Sequence, residues 1–134
     1  MKNKCFVDTS AFVALNNPND QHHHEAIEIA NKLGHYDFHL SEAVLTEAYT
    51  LLRYRLGFHV ARRFLASIIE QRQFQVVDIS TDIRREALSL LEKYNDHKIS
   101  YCDALTVAIM TRNQVDKVFT FDHHFELMGV NRFY

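Results

Sequence analysis

Apolar runs and amphipathic stretches alternate along the whole chain. Residues 4–7 carry Cys5, Phe6 and Val7 in succession, which predicts a short buried strand ending at Asp8. Residues 11–15 predict a first helical turn or two, and 16–20 a loop holding the one proline. Over 21–33, Ala26, Ile27, Ala30 and Leu33 recur at helical spacing, and Gly34 marks the stop. Residues 37–40 predict a second strand. In 42–56 the stripe is Val44, Leu45, Ala48, Leu51, Leu52 and Leu56, closed by Gly57; in 58–71 it is Val60, Ala61, Phe64, Leu65 and Ile68. A third strand is expected over 74–79 and a helix over 81–94 behind a Ser80 or Thr81 cap. Ser100 caps the next helix, where Ala104, Leu105, Ala108 and Ile109 face inward. A polar connection over 114–117 leads to a fourth strand through Val118, Phe119 and Phe121, with Asp122 at its end. Residues 129–134 predict a short fifth strand.

Strands that alternate with helices argue for an α/β layer fold around a mainly parallel sheet. Such sheets bind ligands beyond the carboxyl ends of their strands, where strand order reverses. If strands one and four are neighbours there, Asp8 and Asp122 face one crevice. The 134 residues, 47% of them hydrophobic, fit one globular domain over 1–134. No apolar run approaches the roughly 18 residues a membrane span requires. The opening MKNKCFVDTS lacks the apolar core of a signal peptide, so a cytoplasmic location is expected. Cys5 and Cys102 are far apart, without a CxxC, and lie in apolar segments, which predicts buried free thiols.

Four acids stand where burial alone does not require them. Asp8 follows a strand and could simply cap a helix. Glu47 borders the stripe of its helix, so it must reach out, pair or bind a cation. Asp103 sits in Ser100-Tyr101-Cys102-Asp103, which fits a capping box. Asp122 could be a turn residue. Taken together, two strand-end acids and two helix acids that could pack beside them form a set whose members repel unless a cation compensates. Oxygen donors of this kind suit Mg2+ or Mn2+, and such ions activate water and polarise phosphoryl groups. Phosphodiester hydrolysis is the chemistry this points to. The formal net charge of −2 does not look like a nucleic-acid binder. With four of the 17 acids assigned to metal, however, 13 remain against 15 basic residues, which permits a local basic patch.

DTSAF after a short strand, TEAYTLL on a helix, then SYCDALTVAIM and VFTFDHHF, resemble in order and spacing the PIN-domain family, and within it the VapC-type toxin ribonucleases. The resemblance implies a three-layer α/β/α sandwich with strand order 3-2-1-4-5, and Mg2+- or Mn2+-dependent endoribonuclease activity. It implies that Asp8 and Asp103 are the main metal ligands, that Glu47 completes the site and helps position water, and that Asp122 holds a second metal or its water. Ser10 and Thr120 match polar positions that orient the acids. Some relatives carry a further acid after the last strand's Asp, where this chain has His123 and His124. Asp96 resembles an acid found in part of the family and is left outside the core site. A small antitoxin partner and a homodimer are implied as well.

Nine histidines raise the question of zinc. His22, His23 and His24 are consecutive and diverge on a helix, as do His123 and His124, so no zinc site is expected; His24 should pack beside its stripe and the others be solvated. Arg53, Arg55, Arg62 and Arg63 gather on two successive helices, either as a solvated face or as phosphate contacts along RNA. The same pair of helices carries Tyr49, Leu52, Tyr54, Phe58 and Phe64, apolar surface that could meet an antitoxin helix or a second subunit. Haloacid-dehalogenase-type phosphatases need a second Asp where Ser10 stands, and response-regulator receivers need an acid pair and a Lys that are missing. A stand-alone PIN nuclease, or a PIN-like module that binds RNA or protein without cutting, are the remaining alternatives.

Overall fold

The computed structural model describes residues 3–133. Five strands, β1 (Lys4–Val7), β2 (Asp37–Ser41), β3 (Phe74–Val77), β4 (Lys117–Phe119) and β5 (Asn131–Arg132), form one sheet in the order β3-β2-β1-β4-β5. All four pairings are parallel. The helices are α1 (Thr9–Asn16), α2 (His23–Lys32), α3 (Glu42–Leu56), α4 (Phe58–Glu70), α5 (Thr81–Lys93), α6 (Tyr101–Asn113) and α7 (His124–Leu127).

Successive side chains of a strand point to opposite faces, and β1 shows how this builds two cores. Cys5 and Val7 join Phe38, Leu40 and Phe119 in a cluster with α1 to α4. Phe6 points the other way, with Val118, into a cluster covered by α5, α6 and α7. The sheet is thus flanked by helices on both faces, in the expected three layers. The buried edge-to-face pair Phe12–Phe64, with centroids 5.1 Å apart, ties α1 to α4 in the first core. On the other side α6 is enclosed all round: every residue from 102 to 110 is buried. Thr106 is accommodated there because its hydroxyl donates to the Cys102 carbonyl at 3.0 Å.

Several boundaries differ from the sequence reading. Helix α1 begins at Thr9, directly behind Asp8. In α2 the buried residues are Ala26 and Ile29, followed by Leu33, while Ile27 is exposed; the helix turns about 100° per residue, so the stripe runs through Ile29 instead. Helix α2 ends at Leu33 in ordinary backbone geometry, whereas Gly57 does close α3 with φ 93°. Strand β3 is shorter than predicted and lies at the sheet edge, half exposed. The 114–117 connection is not wholly polar, since Val115 is buried. Strand β4 stops at Phe119, short of Phe121 and Asp122. The four-residue α7 was not foreseen. Of the predicted fifth strand only Asn131–Arg132 pairs, and Tyr134 lies outside the described residues.

Candidate active site

Strand order changes sense between β1 and β4, which pair in parallel through Val7 and Phe119. Asp8 leaves β1 at that point, its N–H donating to the Phe119 carbonyl at 3.0 Å. The Asp8 carboxylate divides its oxygens. Oδ2 accepts from the Thr120 hydroxyl at 2.8 Å, from the Ser10 hydroxyl at 3.0 Å and, more distantly, from the Ser10 N–H at 3.4 Å. Ser10 is fixed in turn by the Phe121 N–H at 3.0 Å, and Thr120 by the Asp122 N–H at 3.0 Å. The other oxygen, Oδ1, is buried and has no hydrogen-bond partner among the described residues. A buried carboxylate oxygen without a partner is costly, and a cation is the ligand that would satisfy it. Burial raises the Asp8 pKa, against the opposing effect of the two hydroxyls.

Asp103 stands in the first turn of α6, whose cap is the Ser100 hydroxyl accepting the Asp103 N–H at 3.0 Å. Its carboxyl is pushed up to about 8, first by burial and then by the nearby charges of Asp8, Asp122 and Glu47. Asp122 lies three residues beyond β4 in a turn, where its Oδ1 accepts the His124 N–H at 2.9 Å. The cap role weighed for Asp8 and the turn role weighed for Asp122 are both seen, while at Asp103 the structure shows the Ser100 side of the capping box; all three acids share one crevice. Asp8, Ser10, Glu47, Asp103 and Asp122 line one cavity of ≈ 420 Å³. Glu47 is exposed on α3 at its wall. Asp103, Asp122 and His124 each offer a donor atom lying within 4.8 Å of the others. The donor set fits a divalent cation.

The cavity also takes in residues that the sequence reading passed over, among them Asp20, His22, Lys98 and His124. His124 opens α7 and so reaches the cavity, which the divergence of consecutive histidines along a sequence does not reveal. His22 is not free surface: its ring stacks on Phe121 at 4.5 Å and 2°. His24 is exposed rather than packed, and His39, in the second strand, is buried rather than solvated. Of the four arginines, Arg55 lines the cavity while Arg53, Arg62 and Arg63 do not; Arg53 lies over the Phe58 ring at 5.9 Å. Asp96 is exposed, near His97 at 3.7 Å, and away from the cavity lining. Cys5 and Cys102 are buried free thiols, pushed up to about 12 chiefly by burial. In the α3–α4 pair, Leu52 and Phe64 are core residues and Tyr49 packs against the core, so of the five residues expected to offer apolar surface Tyr54 and Phe58 are exposed, with Ile69 of α4 exposed as well.

The PIN domain model matches residues 5–131. Over 125 residues the chain is 31% identical to the 23S rRNA-specific endonuclease VapC20 of Mycobacterium tuberculosis, an alignment spanning 92% of this chain and 93% of that one, in two strains of the organism. The crystal structure of Mycobacterium tuberculosis VapC20, a Sarcin-Ricin loop cleaving toxin, is similar with a TM-score of 0.86 and 28% identity, covering 94% of this chain and 95% of that one. With both matches running almost end to end over a sheet of the order its motifs implied, this chain belongs to the PIN-domain family.

Proposed function

We propose that this chain is a metal-dependent endoribonuclease that hydrolyses RNA phosphodiester bonds, and that it is the toxin of a toxin–antitoxin pair. The observation that carries the reading is the partnerless Asp8 Oδ1 beside the crowded carboxyls of Asp103 and Asp122, at the carboxyl ends of β1 and β4. Asp8 and Asp103 would hold a divalent ion, Mg2+ or Mn2+, with Glu47 and Asp122 completing the acidic set. When bound, such an ion supplies Lewis acidity toward a phosphoryl oxygen. Ser10 and Thr120 orient Asp8 by holding its other oxygen. Glu47, exposed on the cavity wall, is free to accept a proton from an attacking water. Arg55 and Lys98, which line the same cavity, receive the phosphate backbone of the substrate.

The names of the VapC20 relatives extend the reading to a substrate class, 23S rRNA, and to the role of toxin. The whole length, 1–134, would act as one PIN-like unit in the cytoplasm. Among the described residues no helix is long and apolar enough to cross a membrane. Tyr54 and Phe58, exposed around Gly57, suit contact with a small antitoxin or with a second copy in a homodimer. The test is cleavage of purified 23S rRNA with Mg2+ or Mn2+, repeated in EDTA. Cleavage that stops on chelation and returns with added metal supports the reading. Undiminished cutting in EDTA removes the metal mechanism, and binding without cutting under every condition favours a non-catalytic RNA-binding module.

A further inference from the structure

His124 brings an imidazole into the cavity beside its acids. Its ring Nδ1 stands 3.2 Å from Asp122 Oδ1, and both residues line the cavity that also holds Asp8, Glu47 and Asp103. The juxtaposition is imposed locally, because Asp122 Oδ1 also accepts the backbone N–H of His124 across the turn that starts α7. The spacing is that of neighbouring ligands: two donors at right angles about 2.1 Å from one octahedral ion lie about 3 Å apart. With Asp103 the pair forms a three-donor group, all within 4.8 Å. Asp8 lines the same cavity, and its buried Oδ1, without a hydrogen-bond partner among the described residues, is a separate demand for a cation there.

We infer that His124 is a nitrogen ligand of the cation held by Asp103 and Asp122, and that it tilts this site toward Mn2+ over Mg2+. The inference rests on the metal-dependent reading of the cavity. Mg2+ is a hard ion that takes oxygen and retains its waters, so an imidazole adds little to its binding. Imidazole nitrogen suits first-row transition ions better than it suits Mg2+, and of the two ions considered for this cavity Mn2+ is the transition ion, which also takes carboxylate and water oxygens. Asp8 and Glu47 add only oxygen donors to the same cavity.

The test loads the purified full chain with Mn2+ and measures electron spin echo modulation, which detects a nitrogen-14 nucleus bonded directly to Mn2+. Dissociation constants for Mn2+ and Mg2+ are measured alongside. The expected result is a nitrogen signal in the wild type that is lost in His124→Gln and kept in His22→Gln, whose ring lines the same cavity. His124→Gln should weaken Mn2+ binding at least about tenfold, the effect usual when a metal site loses a supporting group, with Mg2+ binding little changed. A second variant, His124→Asp, makes the donor set all oxygen and should shift preference back toward Mg2+. Thermal melts of the metal-free proteins check that both variants fold. Mn2+ bound without a nitrogen signal, a signal surviving in His124→Gln, or equal loss of both ions overturns the assignment. Cleavage without the nitrogen signal overturns it while leaving the nuclease reading intact. A nitrogen signal without cleavage upholds the ligand and removes the nuclease.

Discussion

At the scale of single residues, Asp8 and Asp103 show how one carboxylate serves both fold and chemistry. Asp8 spends Oδ2 on two hydroxyls and the α1 cap and keeps Oδ1 for a ligand. The Asp103 carboxyl rises from an ordinary 3.8 to about 8 through burial and its acidic neighbours. In metal-free protein the folded state therefore holds a proton that the unfolded chain gives up near pH 4. That contribution to stability is complete below about pH 4 and is lost as pH climbs through about 8. The melting temperature in EDTA should fall between pH 5 and pH 8.5, and saturating divalent metal should recover it at the upper end. Asp103→Asn should flatten this dependence, melt at least as high as wild type at pH 8.5 without metal, and cut RNA at least about a hundredfold more slowly, as for loss of a group that stabilises transition-state charge. A melting temperature independent of pH in the wild type would refute the crowding. Asp8 and Asp103 stand out in the sequence as acids at a strand end and a helix start, each with a capping alternative, whereas Ser10 and Thr120 are indicated by the PIN-domain resemblance alone. His124 was not legible, because consecutive histidines read along a chain say nothing of the cavity one of them enters.

At the scale of elements, the α3–α4 pair divides its work between a buried and an open side. Phe64 is core, packed edge-to-face on Phe12, and Phe64→Ala should cost about 3–5 kcal/mol in urea denaturation. A loss under 1 kcal/mol would mean the cluster repacks. On the open side, Arg55 lines the cavity and Arg62 does not. Arg55→Ala should weaken RNA binding and lower the salt slope by about one charge, with Arg62→Ala close to wild type in filter binding across a salt series. Equal effects would make the four arginines one diffuse patch. Helix α3 was legible to the residue because its stripe and Gly57 agree, and the structure adds the Ser41 hydroxyl as its cap. Helix α6 was legible in place but not in environment: its apolar face continues all round, and only the two-sided packing explains Cys102 to Met110 being buried together. Strand β4 read two residues too long, since Phe121 is apolar for the sake of the His22 stack and not for the sheet. Helix α7 is too short for any periodicity to register.

At the scale of the molecule, the strand order β3-β2-β1-β4-β5 makes one crevice out of distant stretches of chain. Alternating strands and helices made the layered class legible, whereas the adjacency of β1 and β4 is a matter of topology that local pattern does not encode. The toxin reading is checked by inducing the wild type beside Asp8→Asn. Growth should arrest only with the wild type, and equal arrest from both would mean that toxicity is not catalytic. The long-range bond from Thr120 to Asp8 spans 112 positions, and this has a consequence for the order in which the protein is made. A ribosome delivers Asp8 and Glu47 early, and the sheet can begin with β1, β2 and β3. Asp103, Thr120 and Asp122 emerge late, and β4 is the strand that brings Thr120 to Asp8. Contacts of such separation close slowly. A nascent chain still short of its final quarter thus has no assembled centre, so the machine translating it is not within reach of a working nuclease until synthesis is nearly over.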